Sequence, residues 1–142
     1  HLERGLWCRV HYHYIGEGLS SSEAHFRSAL DIAKEHQDKL WIAGMADIYK
    51  YQSERRTAKL TLVKSDANSL TFQLDCGTDA MLYDQPLTIE VTPPAAWEVA
   101  KVEVKDAAGS PLKAEIVESA NGRLLRLEAT PQTSSYSILA SP

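Results

Sequence analysis

Two histidines one residue apart, His11 and His13, are the sharpest chemical feature of the sequence. They lie in Leu6–Ile15, a run of aromatic and β-branched residues that reads as a strand, and alternation along a strand puts both imidazoles on one face. There they could share a metal ion or work together on a proton. The same spacing equally suits two half-exposed strand histidines with no joint task. His1 offers a third nitrogen donor, since an N-terminal histidine can bind through its amine and its ring. With His11 and His13 it would make a site suited to copper. Residues 2–5 carry no pattern that supports this reading. His25 and His36 fall on or near the polar side of a helix, and Asp31 and Glu35 sit one turn apart on it as a solvated face.

Flat aromatic faces are the second candidate chemistry, because they stack on the C–H faces of sugars. The chain has three tryptophans and six tyrosines. Trp97 follows Pro93-Pro94 at the edge of a strand-rich region and is a candidate ligand contact, with a core or interface role open beside it. Trp41 lies in the apolar run Lys39–Ala43 and reads as core. The two cysteines, Cys8 and Cys76, fall in separate segments and are expected to be free, buried thiols. There is no Cys-x-x-Cys pair, no Gly-rich phosphate loop and no Gly-x-Ser-x-Gly elbow.

These residues need a scaffold, and the composition is that of a protein that folds around a core. Of 142 residues, 44% are hydrophobic and 24% charged, which argues against disorder. With 15 basic against 19 acidic residues the net charge is −4, so a nucleic-acid partner is not expected. No apolar run approaches the roughly 20 residues of a membrane-spanning helix. No signal peptide is expected in this run of residues, as a mature secreted protein would have lost one.

The pattern changes near residue 58. Before it, Leu6–Ile15 ends at Gly16-Glu17-Gly18. Ser20 and Glu23 have capping-box spacing, and Phe26, Ala29, Leu30 and Ala33 trace one face of an amphipathic helix. Lys39–Ala43 reads as a short buried strand, Gly44 as its stop, and Ile48, Tyr49 and Tyr51 as a second helix closing in the polar run Ser53-Glu54-Arg55-Arg56. The order is βαβα, too short to be a complete sheet domain. After residue 58 the period is two. Leu60 and Leu62, then Leu70, Phe72, Leu74 and Cys76, then Leu87, Ile89 and Val91 each share a face, and Val102 with Val104 forms another strand. Ala114, Ile116, Leu125 and Leu127 flank Asn121-Gly122, a hairpin signal, and Tyr136 and Ile138 finish the chain. The expected fold class is α+β: a partial α/β segment over 1–57 and an antiparallel β-sandwich over 58–142.

The run from Val10 to Leu60 resembles the last stretch of the polysaccharide deacetylase family, carbohydrate esterase family 4. The matching pieces are His13-Tyr14-Ile15-Gly16, the helix from Ser20, Lys39-Leu40-Trp41-Ile42-Ala43 and Tyr51-Gln52-Ser53-Glu54-Arg55. The segment from Tyr83 to Ile116 is similar to the β-sandwich tail of some secreted bacterial members. The resemblance implies that 1–57 is the end of a (β/α) barrel whose parent removes acetyl groups from a glycan by metal-assisted hydrolysis. His13 would be the general acid that protonates the leaving group. A divalent metal such as zinc would be held by Asp and His motifs upstream of this chain. Tyr14 stands where the family commonly has glycine after the histidine. This chain alone is expected to be inactive. A polysaccharide or oligosaccharide partner and a secreted or cell-envelope location follow from the same resemblance. A carbohydrate-binding sandwich module and the small copper protein are the alternatives. Trp7, Val10, Trp41 and Ile42 would be uncovered in an isolated monomer, so a homodimer or the remainder of the parent barrel is expected over them.

Overall fold

A computed structural model describes residues 2–16, 21–98, 101–120, 122–131 and 134–140. His1, Glu17-Gly18, the expected cap Ser20 and the hairpin residue Asn121 lie outside the described residues. The chain divides into two compact units, His1–Met45 and Ala46–Pro142. The change of sequence character at residue 58 therefore falls inside the second unit.

Among the described residues the first unit has one α-helix, α1 (Glu23–Glu35), after a 3-10 turn at Leu2–Arg4. Ser22 caps it: its Oγ accepts the His25 backbone N–H at 3.2 Å, satisfying one of the free donors of the first turn. Phe26, Ala29 and Ala33 are half-buried along one face, whereas Leu30 is exposed, and no residue of α1 is buried. The two strands expected here do not form. Residues 6–14 and 40–44 carry no ladder, and among the described residues the single pairing is an isolated parallel bridge between Ile15 and Ser21. The physical reason is that β-propensity only describes side chains suited to a pleated, half-buried surface. Without a neighbouring strand to pair with and a face to bury, it fixes nothing.

Among its described residues the second unit holds α2 (Met45–Thr57, all but its first residue) and eight strands. They are β1 (Lys59–Ser65), β2 (Ser69–Asp75), β3 (Leu87–Val91), β4 (Val102–Lys105), β5 (Pro111–Leu112), β6 (Ala114–Ser119), β7 (Gly122–Ala129) and β8 (Ser134–Ala140). They form two antiparallel sheets, a five-stranded one ordered β1-β2-β8-β4-β5 and a three-stranded one ordered β3-β7-β6. The fold is thus helices plus antiparallel sheets, and the two sheets share a core, an arrangement compatible with a sandwich.

Period two explains that core. Leu70, Phe72, Leu74 and Cys76 are buried from the first sheet's β2 and its end, together with Val104, Tyr136 and Ile138. Leu87, Ile89, Leu125, Leu127 and Ala129 are buried from the second sheet. Each fully buried leucine or isoleucine contributes about 1.5–3 kcal/mol of transfer free energy. Phe72 and Tyr136 are cross-strand partners whose rings stack at 5.4 Å. The intervening Thr71 and Gln73 are half-buried, and Val91 packs against the core.

β1 departs from this rule. Its Leu60 and Leu62 alternate as the other strands do, yet every residue of β1 is exposed. It is the outer strand of the larger sheet, and a three-stranded sheet cannot cover five strands from edge to edge. A register shift between Leu62 and Lys64 further interrupts its pairing with β2.

Candidate functional site

The histidine pair sits on the extended segment before α1. Tyr12 is half-buried and its ring meets Phe26 of α1 edge-on at 5.3 Å. This anchors the segment and leaves its two neighbours, His11 and His13, exposed with ring centroids 5.3 Å apart. The pair comes together as expected, but on coil rather than on a strand. Among the described residues no group of three or more His, Cys, Asp or Glu could hold a metal ion. Two imidazoles fall short of the three protein ligands of a zinc centre, so the described residues do not fit a resident metal at His11 and His13. The copper reading also required His1, which lies outside the described residues.

Trp97 is a correction. Its side chain is 7% exposed and belongs to the core cluster, and its indole N–H donates to the Ala67 carbonyl at 2.6 Å. A ring with no open face cannot stack on a sugar. Its apolar body fills the core while its polar edge finds a backbone acceptor. Trp41 reverses the other way: expected as core, it is 52% exposed. Both cysteines are free, but only Cys76 is buried; Cys8 is exposed. His25 is exposed and His36 half-buried at the C-cap of α1.

The most unusual side chain was hidden in the polar run that closes α2. Glu54 has no exposed surface, and neither carboxylate oxygen makes a hydrogen bond. Tyr51 of α2 and Ala58, the residue just after the helix, pack against the core, and Glu54 lies three residues after one and four before the other. That spacing was the available signal. Burial pushes the Glu54 carboxyl above its ordinary range; the nearby Gln85 backbone N–H opposes this, Asp84 adds to it and Lys50 subtracts. Lys50, one turn earlier, binds Asp84 at 2.8 Å and so ties α2 to the loop before β3. That hydrogen bond raises the Lys50 ammonium and lowers the Asp84 carboxyl. The Cys76 thiol is pushed up by burial and by Glu54. A carboxyl so enclosed cannot touch a substrate, and its upward shift links the seating of α2 to pH.

The described part of the second unit also carries an open cleft, of about 230 Å³, between the β4–β5 turn and the end of β7. Ligand pockets for drug-sized molecules run from about 300 to 1,000 Å³, so this cleft suits a small group.

No family model matches the chain, and no solved structure matches it. A gellan lyase of a Bacillus species is 28% identical over 148 aligned residues, covering 96% of this chain and 6% of the lyase. The chain therefore spans about 6% of the length of the relative it matches. Among the described residues no helix is long and apolar enough to cross a membrane.

Proposed function

We propose that this chain is an accessory part of a larger polysaccharide-acting protein, with Ala46–Pro142 serving as a glycan-binding module outside the cytoplasm. The observation that carries the reading is the span of the match: nearly all of this chain aligns with a small fraction of a gellan lyase. A segment of that size is an auxiliary part of so long a protein, and a glycan is the partner common to such proteins. The self-contained core of the second unit supports a separable module. Co-sedimentation of the chain with insoluble xylan, cellulose and chitin tests it. The expected result is retention on at least one of them that soluble oligosaccharide of the same sugar competes away. Absence of retention on all three contradicts it.

A second reading concerns the first unit, and one observation favours it. Trp7, Val10, Trp41 and Ile42 are exposed on extended segments, as barrel strands without neighbours would be. On this reading His1–Met45 completes a deacetylase-like domain of the parent, and His13 protonates the leaving alkoxide or amine there. Two measurements separate the possibilities. About 200 further residues upstream carrying Asp and paired His motifs, the remainder of a barrel of ordinary size, would support the deacetylase parent. Dimers in light scattering would instead point to a second copy covering the same faces. The isolated chain is expected to leave acetylated xylan and chitin oligomers intact with added Zn²⁺ or Co²⁺, and turnover lost on His13→Ala would overturn that.

A further inference from the structure

The cleft of the second unit has the makings of a sugar subsite, and its lining selects the kind of sugar. The turn between β4 and β5 is held by Asp106. Its Oδ1 accepts the backbone N–H groups of Ala108 at 2.9 Å and Ser110 at 2.8 Å, and its own N–H donates to the Ser110 carbonyl at 3.0 Å. The turn therefore presents a fixed edge rather than a loose loop. Ala108 and Leu112 supply apolar lining, while Asp106, Glu128 and Ser134 supply polar lining. Glu128 Oε1 accepts the Thr88 hydroxyl at 2.9 Å, which steadies the side chain across the β3–β7 pair. Among the described residues, Asp106 Oδ2, Glu128 Oε2 and the Ser134 hydroxyl have no hydrogen-bond partner within the protein.

We propose that this cleft is a subsite for one neutral sugar residue of a glycan chain. The inference rests on the binding-module reading and names where the module would bind and what it would take. Free acceptors on two carboxylates match the hydroxyl donors of a sugar, and hydrogen bonds to charged acceptors are about twice as strong as neutral ones. The alanine and leucine lining suits the C–H face of the ring. No Lys, Arg or His lines the cleft, so a uronic acid would bring its carboxylate against two acidic side chains with nothing to offset it. A calcium ion is a poorer fit, because it takes six to eight oxygens and each carboxylate has already committed one to the protein.

Nitrogen-15 NMR of the full chain tests the subsite, with xylohexaose and cellohexaose as neutral probes and a polygalacturonate oligomer as the acidic one. The expected result is that a neutral probe moves the amide signals of Asp106–Ser110 and Glu128–Thr130 while the acidic probe does not. Glu128→Ala should weaken neutral binding about tenfold, the worth of a charge-assisted hydrogen bond, and Glu128→Lys should shift preference toward the acidic probe. Glu128 is exposed, so both variants should keep the parent spectrum elsewhere. Neutral binding that moves other amides and ignores both variants overturns the subsite and leaves the module reading standing. Tighter binding of the acidic probe to the parent chain overturns the selectivity. No binding of either kind, together with no retention on insoluble polysaccharide, overturns both readings.

Discussion

The two units use similar residues to opposite effect. In Ala46–Pro142, Leu, Ile, Phe and Val at alternate positions find a second sheet and vanish into a common core. In His1–Met45, Trp7, Val10, Leu30, Trp41 and Ile42 stay exposed, and no residue of α1 is more than half-buried. Apolar content does not separate the units; the availability of a partner surface does. A segment whose strands close on a common core makes a domain, and one without a partner surface keeps its apolar side chains exposed.

The cysteines report on this contrast, one in each unit. Cys8 is exposed and Cys76 is buried with its thiol pushed up. In the native chain a thiol reagent should modify Cys8 freely and Cys76 only through opening of the second unit, a difference of about a thousandfold or more for a domain of ordinary stability. Comparable rates would mean that the second unit is not the stable one. Next in size, Leu74→Ala should cost about 2–5 kcal/mol in urea unfolding, because Leu74 is wholly enclosed. Ile42→Ala, at 70% exposed, should stay within about 0.5 kcal/mol. A large loss at Ile42 would show that the first unit is covered by something in solution.

Glu54 offers a sharper probe of how α2 is seated. Its folded-state carboxyl is raised above the ordinary value of 4.5, so the folded chain holds the proton more tightly than the unfolded chain. The contribution to stability is full below that ordinary value and is lost as pH rises through the folded-state value. Glu54→Leu should remove that decline and, at neutral pH, stabilise the chain by about 1–3 kcal/mol, since it deletes buried acceptors that have no partners. Urea unfolding followed from pH 4 to 8 checks both. A parent stability that rises with pH through this range, or a destabilised Glu54→Leu, would contradict the account.

The same comparison explains what could be read from the residues. Phe72, Leu74, Leu125 and Ile138 were legible because one face of each strand is buried, and a slip of one residue would expose them all. Leu60 and Leu62 show the same alternation but lie on an outer strand, and no local pattern reports a strand's place in its sheet. Leu6–Ile15 and Lys39–Ala43 have strand composition without strand neighbours. Trp97 could be read as a ligand contact or as core because Pro93-Pro94 shows only its turn, whereas the Ala67 carbonyl that takes its indole N–H is distant in sequence. Glu54 was masked by the charged residues around it, and its place between Tyr51 and Ala58 was the sole sign of burial. The cleft depends on residues from three strands and a turn, which only the fold brings together.

The central claim is that the second unit binds glycan by itself. Binding of the full chain and of a chain cut before α2, residues 44–142, to the same insoluble polysaccharide tests it most directly. The account predicts a folded shorter chain, shown by a protected Cys76, with affinity within about twofold of the full chain, a difference well under 1 kcal/mol. A shorter chain that folds with Cys76 protected but no longer binds would contradict it and place the glycan contact in His1–Met45.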